Sequence, residues 1–323
     1  MFNKQFVMIK NNAQLYTESF GIQSDPAIVL ISGTMATARF WIDDFCQQLA
    51  EMGYFVIRYD HRDTGLSTEI DYAKNSYTLN DMAKDVIAIL DAYKIHKAHI
   101  VGHSMGGLIA KICAIDYPNR CSSMTLIASS QFLPPLAQTD LLTEKEKDTL
   151  AKTYKIWKVT LENNSTNTYE ETMDHFLGAH KYLNGTLPFD EQLSKDLIKD
   201  MFGRSGHVQQ PKKHNQTKEM HNHVKARQSA KDRTQEVKNL RLPLFVIHGQ
   251  NDVLCLPRLA IEEANQIPTA TIKIIPEMGH MMFNRTLLTE IGYYIIEFIE
   301  DAHIPEKQIM VPEVQVSGAT EKL

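Results

Sequence analysis

Short apolar runs rich in β-branched residues recur along the chain and alternate with longer stretches of helical spacing. Ala27-Ile28-Val29-Leu30-Ile31 is one run, and Tyr54-Phe55-Val56-Ile57-Arg58-Tyr59 the next. Ala98-His99-Ile100-Val101 and Met124-Thr125-Leu126-Ile127 follow, then, much later, Leu244-Phe245-Val246-Ile247 and Thr271-Ile272-Lys273-Ile274-Ile275. Continuous apolar runs of this length predict strands of a parallel sheet buried on both faces. Between them, residues 79–93 carry Met82, Val86, Ile89, Leu90 and Tyr93 at helical spacing. Strand and helix in alternation predict an α/β fold with a doubly wound, mostly parallel sheet.

The alternation stops near Pro134-Pro135 and resumes near Leu242-Pro243. Leu150, Tyr154, Trp157 and Leu161 form one helical stripe in between, and Met173, Phe176 and Leu177 another. Residues 204–238 are strongly polar. The pattern predicts an α/β core over 1–133 and 241–303, a largely helical cap inserted at 134–240, and a mobile tail over 304–323.

Composition adds bounds. Of 323 residues 43% are hydrophobic and 23% charged, enough for one large α/β core without requiring two. A formal charge of −5 gives no sign of a nucleic-acid surface. No segment approaches the ~20 consecutive apolar residues of a membrane span. Residues 1–10 hold neither a long apolar run nor a small-residue cleavage site, so a cytoplasmic protein is expected. Cys46, Cys113, Cys121 and Cys255 are scattered without a CxxC pair, which predicts buried, reduced thiols.

The chemistry enters at Gly102-His103-Ser104-Met105-Gly106, a G-x-S-x-G pattern. By itself the pattern is weak, and a glycine-rich turn with an incidental serine would match it. Here a predicted strand precedes it and a helical pattern from Leu108 follows, the setting in which a sharp turn exposes a nucleophilic serine at a helix N-terminus. A serine hydroxyl needs a base. His280 follows the last predicted strand and would share a sheet edge with Ser104; the alternative is a buried histidine capping the final helix. Asp252 lies in the loop after the strand at 244–247 and could orient the base, or simply cap a helix. The loop after 124–127 has no carboxylate. The order Ser104, Asp252, His280 is that of α/β hydrolases. An oxyanion hole would take the Met105 N–H and one from Ser32-Gly33-Thr34-Met35, with Thr34 favoured and Met35 its nearest rival.

These blocks, together with Tyr59-Asp60-His61-Arg62-Asp63-Thr64-Gly65-Leu66-Ser67, resemble the α/β-hydrolase superfamily. The stretch Asp60 to Gly65 looks most like the aclacinomycin methylesterase branch, whose members hydrolyse a methyl ester on a polyketide, and His223-Val224-Lys225-Ala226-Arg227-Gln228 is placed like the end of that branch's cap. The resemblance implies a carboxylic-ester hydrolase with a serine acyl-enzyme, a small-molecule ester substrate, and neither metal nor cofactor. The chain departs from the pattern in its very polar cap and its tail. Met35, Trp157, Phe176 and Met201 are the expected pocket residues. Asp60, Arg62 and Asp63 read as structural. His207, His214, His221 and His223 read as a solvated basic surface rather than a metal site, lacking carboxylate or cysteine at a ligand spacing. Aminopeptidase, thioesterase, lactonase and perhydrolase chemistry stay open on the same triad, as does a non-enzymatic small-molecule receptor. Chemistry that starts from an aspartate nucleophile does not fit Ser104.

Overall fold

The apolar runs become the middle of one sheet. A computed structural model describes residues 2–129, 131–132, 140–162, 168–203 and 216–302, without the side chains of 159–162, 203 and 216–221. Its strands are β1 (Asn3–Met8), β2 (Gln14–Phe20), β3 (Ala27–Ile31), β4 (Phe55–Tyr59), β5 (Ala98–His103), β6 (Cys121–Ile127), β7 (Leu244–Gly249) and β8 (Ala270–Ile275). They pair in the order β1-β2-β4-β3-β5-β6-β7-β8. The last six in that order are mutually parallel, while β1 and β2 run antiparallel at one end. The six runs legible in sequence are these parallel strands. β3, β4 and β7 are buried at every position, as a sheet covered on both faces demands. β2 shows no continuous apolar run because its buried residues include Thr17, Glu18 and Ser19. Their partners come from elsewhere: the Tyr93 hydroxyl meets Thr17 at 2.8 Å, and Arg58 pairs with Glu18 inside the core.

Helices α1 (Asp43–Glu51), α2 (Leu79–Ala92) and α3 (Met105–Asp116) follow β3, β4 and β5. α2 begins at a Thr78–Asp81 capping box and buries Leu79, Met82, Val86, Ile89 and Leu90. Two large apolar clusters flank the sheet, one with α2 and α3, the other with α1 and the final helix. Between β6 and β7 come α4 (Glu144–Glu162), α5 (Tyr169–Leu183), α6 (Glu191–Gly203), α7 (Gln216–Gln228) and α8 (Thr234–Lys238); α9 (Pro257–Ala264) and α10 (Arg285–Asp301) complete the fold. α5 and α6 share an apolar cluster with Met35 from the loop after β3. Val237 of α8 instead joins the cluster of α2 and α3. Residues 133–139, 204–215 and the 304–323 tail lie outside the described residues.

α3 is buried along nearly its whole length and holds one charge there. Lys111, fully buried, forms an ion pair with Glu263 of α9. Removing one member of such a pair strands the other in a low-dielectric interior. Lys111→Met should therefore cost about 3–5 kcal/mol in urea unfolding, and adding Glu263→Leu should restore part of the loss. A single variant as stable as wild type would contradict this account of α3.

Candidate active site

Parallel register carries four loops to one sheet edge. Ile31 pairs with Gly102, His103 with Ile127, and Gly249 with Ile275, so the loops after β3, β5, β7 and β8 emerge side by side. Ser104 is the turn between β5 and α3, with φ 53° and ψ −119°, a conformation sterically costly for a side-chain-bearing residue. Glycine makes the turn possible. A Cβ on Gly102 would lie 2.3 Å from the Gly106 carbonyl oxygen, and one on Gly106 2.3 Å from that of Ile31. The turn is also tied down at two points. The Ser104 N–H donates to the Ile127 carbonyl at 3.0 Å, and the Ser129 hydroxyl donates to the Ser104 carbonyl at 2.8 Å.

The three residues expected to act together meet here. The Ser104 hydroxyl lies 3.0 Å from His280 Nε2, and His280 Nδ1 lies 2.9 Å from Asp252 Oδ2. The Nδ1–H tautomer satisfies both contacts: Nδ1–H donates to the carboxylate and Nε2 accepts from the serine. Asp252 and His280 are each 3% exposed. The other Asp252 oxygen accepts from the N–H groups of Leu254 and Cys255, both at 2.8 Å. Burial alone would push the Asp252 carboxyl up. The charge of His280, its hydrogen bond and the nearby His248 ring, 3.4 Å away, outweigh it and hold the group below the usual carboxylate range. For His280 burial alone would lower the pKa. The Asp252 carboxylate, with a further contribution from Cys255, outweighs burial and raises it above the ordinary histidine value. Imidazolium is thus stabilised where a proton from Ser104 would arrive.

Thr34 and Met105 lie side by side, the Thr34 hydroxyl 3.6 Å from the Met105 sulfur. Neither N–H has an acceptor among the described residues. Gly33 lets the loop approach the turn: a Cβ there would lie 3.2 Å from that of Ser104. The rival donor, Met35 N–H, is taken, donating to His223 Nδ1 at 3.1 Å. Met35 packs with Met173, Phe176, Ile198 and Phe202, and Trp157 and Met201 touch both this cluster and the neighbouring core. Phe176 is fully buried and backs that cluster, while Trp157 and Met201 are partly exposed. The Trp157 indole N–H is buried without an acceptor among the described residues.

Further residues support the site, and His103, His248 and Leu183 among them gave no sequence signal of that role. His103 lies inside the serine motif, and its Nε2–H donates to the His280 carbonyl at 2.8 Å. His248 Nε2–H donates to the Cys255 carbonyl at 2.6 Å and shapes the Asp252 loop. Leu183, at the end of α5, accepts from the N–H groups of His280 and Met281 at 2.7 and 3.0 Å. Asp60 accepts from the N–H groups of Ala38 and Leu66, Arg62 pairs with Asp85, and Asp63 accepts from Tyr77 and Asn222. His223 corrects the expectation of a solvated histidine surface. It is fully buried because its ring fills a gap between two core loops and hydrogen-bonds both. His207 and His214, and the side chain of His221, lie outside the described residues. Of the cysteines, Cys46, Cys113 and Cys121 are buried and Cys255 half-buried. Asp252, Cys255 and His280 offer ligand atoms within 4.8 Å of one another. A soft cation could use them only by breaking the His280–Asp252 hydrogen bond.

Fold and site define the class: a doubly wound α/β enzyme whose serine stands on a strand-to-helix turn beside a histidine and a buried aspartate. Residues 26–284 match the alpha/beta hydrolase fold family, and the chain belongs to that family. Rhodomycin D methylesterase DauP of Streptomyces sp. (strain C5) is 29% identical over 293 residues, covering 85% of this chain and 92% of its own. Rhodomycin D methylesterase DnrP of Streptomyces peucetius is 28% identical with the same coverage. A solved esterase (EaEST) from Exiguobacterium antarcticum superposes with a TM-score of 0.69 at 16% identity, covering 92% of this chain and all of its own, a likeness of fold. Among the described residues no helix is long and apolar enough to cross a membrane.

Proposed function

We propose that the protein hydrolyses carboxylic esters of small molecules through an acyl-enzyme, with Ser104 as nucleophile, His280 as general base and Asp252 as the group that orients it. One observation carries the reading: a strained, helix-N-terminal serine hydroxyl is hydrogen-bonded through His280 to a buried carboxylate. Ser104 Oγ attacks the acyl carbon while its proton passes to His280 Nε2. The negative oxygen of the tetrahedral intermediate is met by the N–H groups of Thr34 and Met105 and by the positive end of α3. His280 returns the proton to the departing alcohol. Water then repeats the sequence on the acyl-enzyme and releases the acid. The helical segment α4 to α7 forms the cap, and Trp157, Met201 and Met35 at its junction with the core form the substrate pocket.

The names of DauP and DnrP make methyl esters the first substrates to try. Incubation with a fluorophosphonate should add one adduct, on the peptide carrying Ser104, and abolish hydrolysis of p-nitrophenyl acetate. An adduct elsewhere with activity lost, or hydrolysis surviving full labelling of Ser104, would overturn the assignment. Release of methanol from methyl esters, set against thioesters, lactones and amides of the same acids, would sort the acyl chemistry.

A further inference from the structure

The loop that supplies the first oxyanion donor is held by two buried histidines, one from the core and one from α7. The Thr34 N–H belongs to the peptide between residues 33 and 34. On one side, the Ser32 carbonyl accepts from His61 Nε2–H at 2.9 Å. On the other, the Met35 N–H donates to His223 Nδ1 at 3.1 Å. The Gly33 carbonyl, in the peptide itself, accepts from the Ala36 N–H at 3.3 Å, closing a turn and directing the trans Thr34 N–H the opposite way. That turn places Met35 at φ 64°, a position that favours glycine. A methionine stays there only if tertiary contacts hold it. Its side chain is held by the α5–α6 cluster, its N–H by His223.

His223 has both nitrogens occupied in a consistent sense. Nε2–H donates to the Arg62 carbonyl at 2.9 Å, which leaves Nδ1 as an acceptor. The ring is fully buried, edge-on to His61 at 5.7 Å between centroids. Burial disfavours its charged form, so the acceptor persists at neutral pH. A second tie from the same helical layer runs from the Thr37 hydroxyl to Asp200 at 2.8 Å.

We propose that His223 is a positioning residue for the reaction: by accepting the Met35 N–H it sets the turn that aims the Thr34 N–H at the oxyanion, so that docking of α7 completes the oxyanion hole. The proposal rests on the esterase reading above. It predicts a specific split among three variants. An asparagine side chain reaches as far as Nδ1 and can offer an oxygen to Met35 N–H. A glutamine reaches as far as Nε2 and can serve only the Arg62 carbonyl. A leucine serves neither. With p-nitrophenyl acetate, His223→Gln and His223→Leu should lose about 10- to 100-fold in kcat with KM changed less than about threefold, while His223→Asn should stay within about threefold of wild type in both. A role confined to anchoring α7 would instead make the losses follow the urea midpoints, whatever the side chain.

The inference is overturned by wild-type kcat in His223→Gln, by an asparagine variant that falls as far as glutamine, or by losses that track stability alone. If His223→Leu does not fold, the asparagine-against-glutamine contrast decides. Failure of the underlying reading is separate, because it shows as activity surviving in Ser104→Ala. A dead Ser104→Ala beside a fully active His223→Gln would leave the esterase standing and remove His223.

Discussion

Ser104→Ala should lower kcat for p-nitrophenyl acetate about 10⁶-fold, with KM little changed. In the proposed mechanism the hydroxyl oxygen forms the covalent bond. Deleting it leaves His280 without a proton to accept and the oxyanion donors without an intermediate to stabilise. The residual rate over water comes from those donors and from binding. His280→Ala should cost nearly as much, and the double variant no more than either single one, because the members act as a unit. Steady-state rates of the three proteins check this. Additive losses in the double variant would mean that Ser104 and His280 serve separate steps, which the 3.0 Å contact between them argues against. Ser104→Ala should also fold normally, since the hydroxyl's partner is His280 and the backbone ties to Ile127 and Ser129 remain.

The second large effect belongs to Asp252. Asp252→Asn should lower kcat about 10⁴-fold and move the pH profile. The base must be neutral to act. In the wild type, burial lowers the His280 pKa but the Asp252 carboxylate more than compensates, so activity should rise with pH along a limb lying above 6.5. Without the carboxylate burial prevails, and the limb should shift to below 6.5. A profile of kcat/KM against pH for both proteins reads this directly. An unmoved limb would remove Asp252 from its proposed role. The same shifts set a stability window. The raised His280 pKa contributes stability that is fully present below 6.5 and lost as pH rises through its folded value. The depressed Asp252 pKa contributes stability present above 3.8 and lost as pH falls through its folded value. The pair therefore stabilises the fold most between 3.8 and 6.5. Asp252→Asn should flatten the stability profile at both ends of that interval.

Much of this was legible in the residues. β3 to β7 read as strands because a parallel sheet covered on both faces needs apolar side chains on both, and such runs stand out in any window; β8, at the sheet edge, alternates instead. Ser104 was legible because its turn needs glycine at 102 and 106, where any Cβ would strike backbone. Asp252 and His280 followed from chain order, since loops leaving parallel strands at their carboxyl ends gather at one edge. What escaped were residues whose character depends on distant partners. Glu18 looks like a surface residue until Arg58 meets it in the core. His103 and His248 gave no local sign of their supporting bonds.

The chain holds 13 histidines, and His223 shows most clearly where local information ends. It sits in a polar helix whose pattern points to solvent, yet it is fully buried between residues 62 and 35, which lie more than 150 positions away in sequence. The six parallel strands, the glycine-flanked turn and the succession of serine, aspartate and histidine were written locally, because hydropathy and backbone sterics act between near neighbours. Which histidine has its charged form stabilised, which is a neutral acceptor and which N–H lacks an acceptor among the described residues were decided by tertiary structure. Burial and hydrogen-bond partnership set those properties, and both depend on groups that only the folded chain brings together.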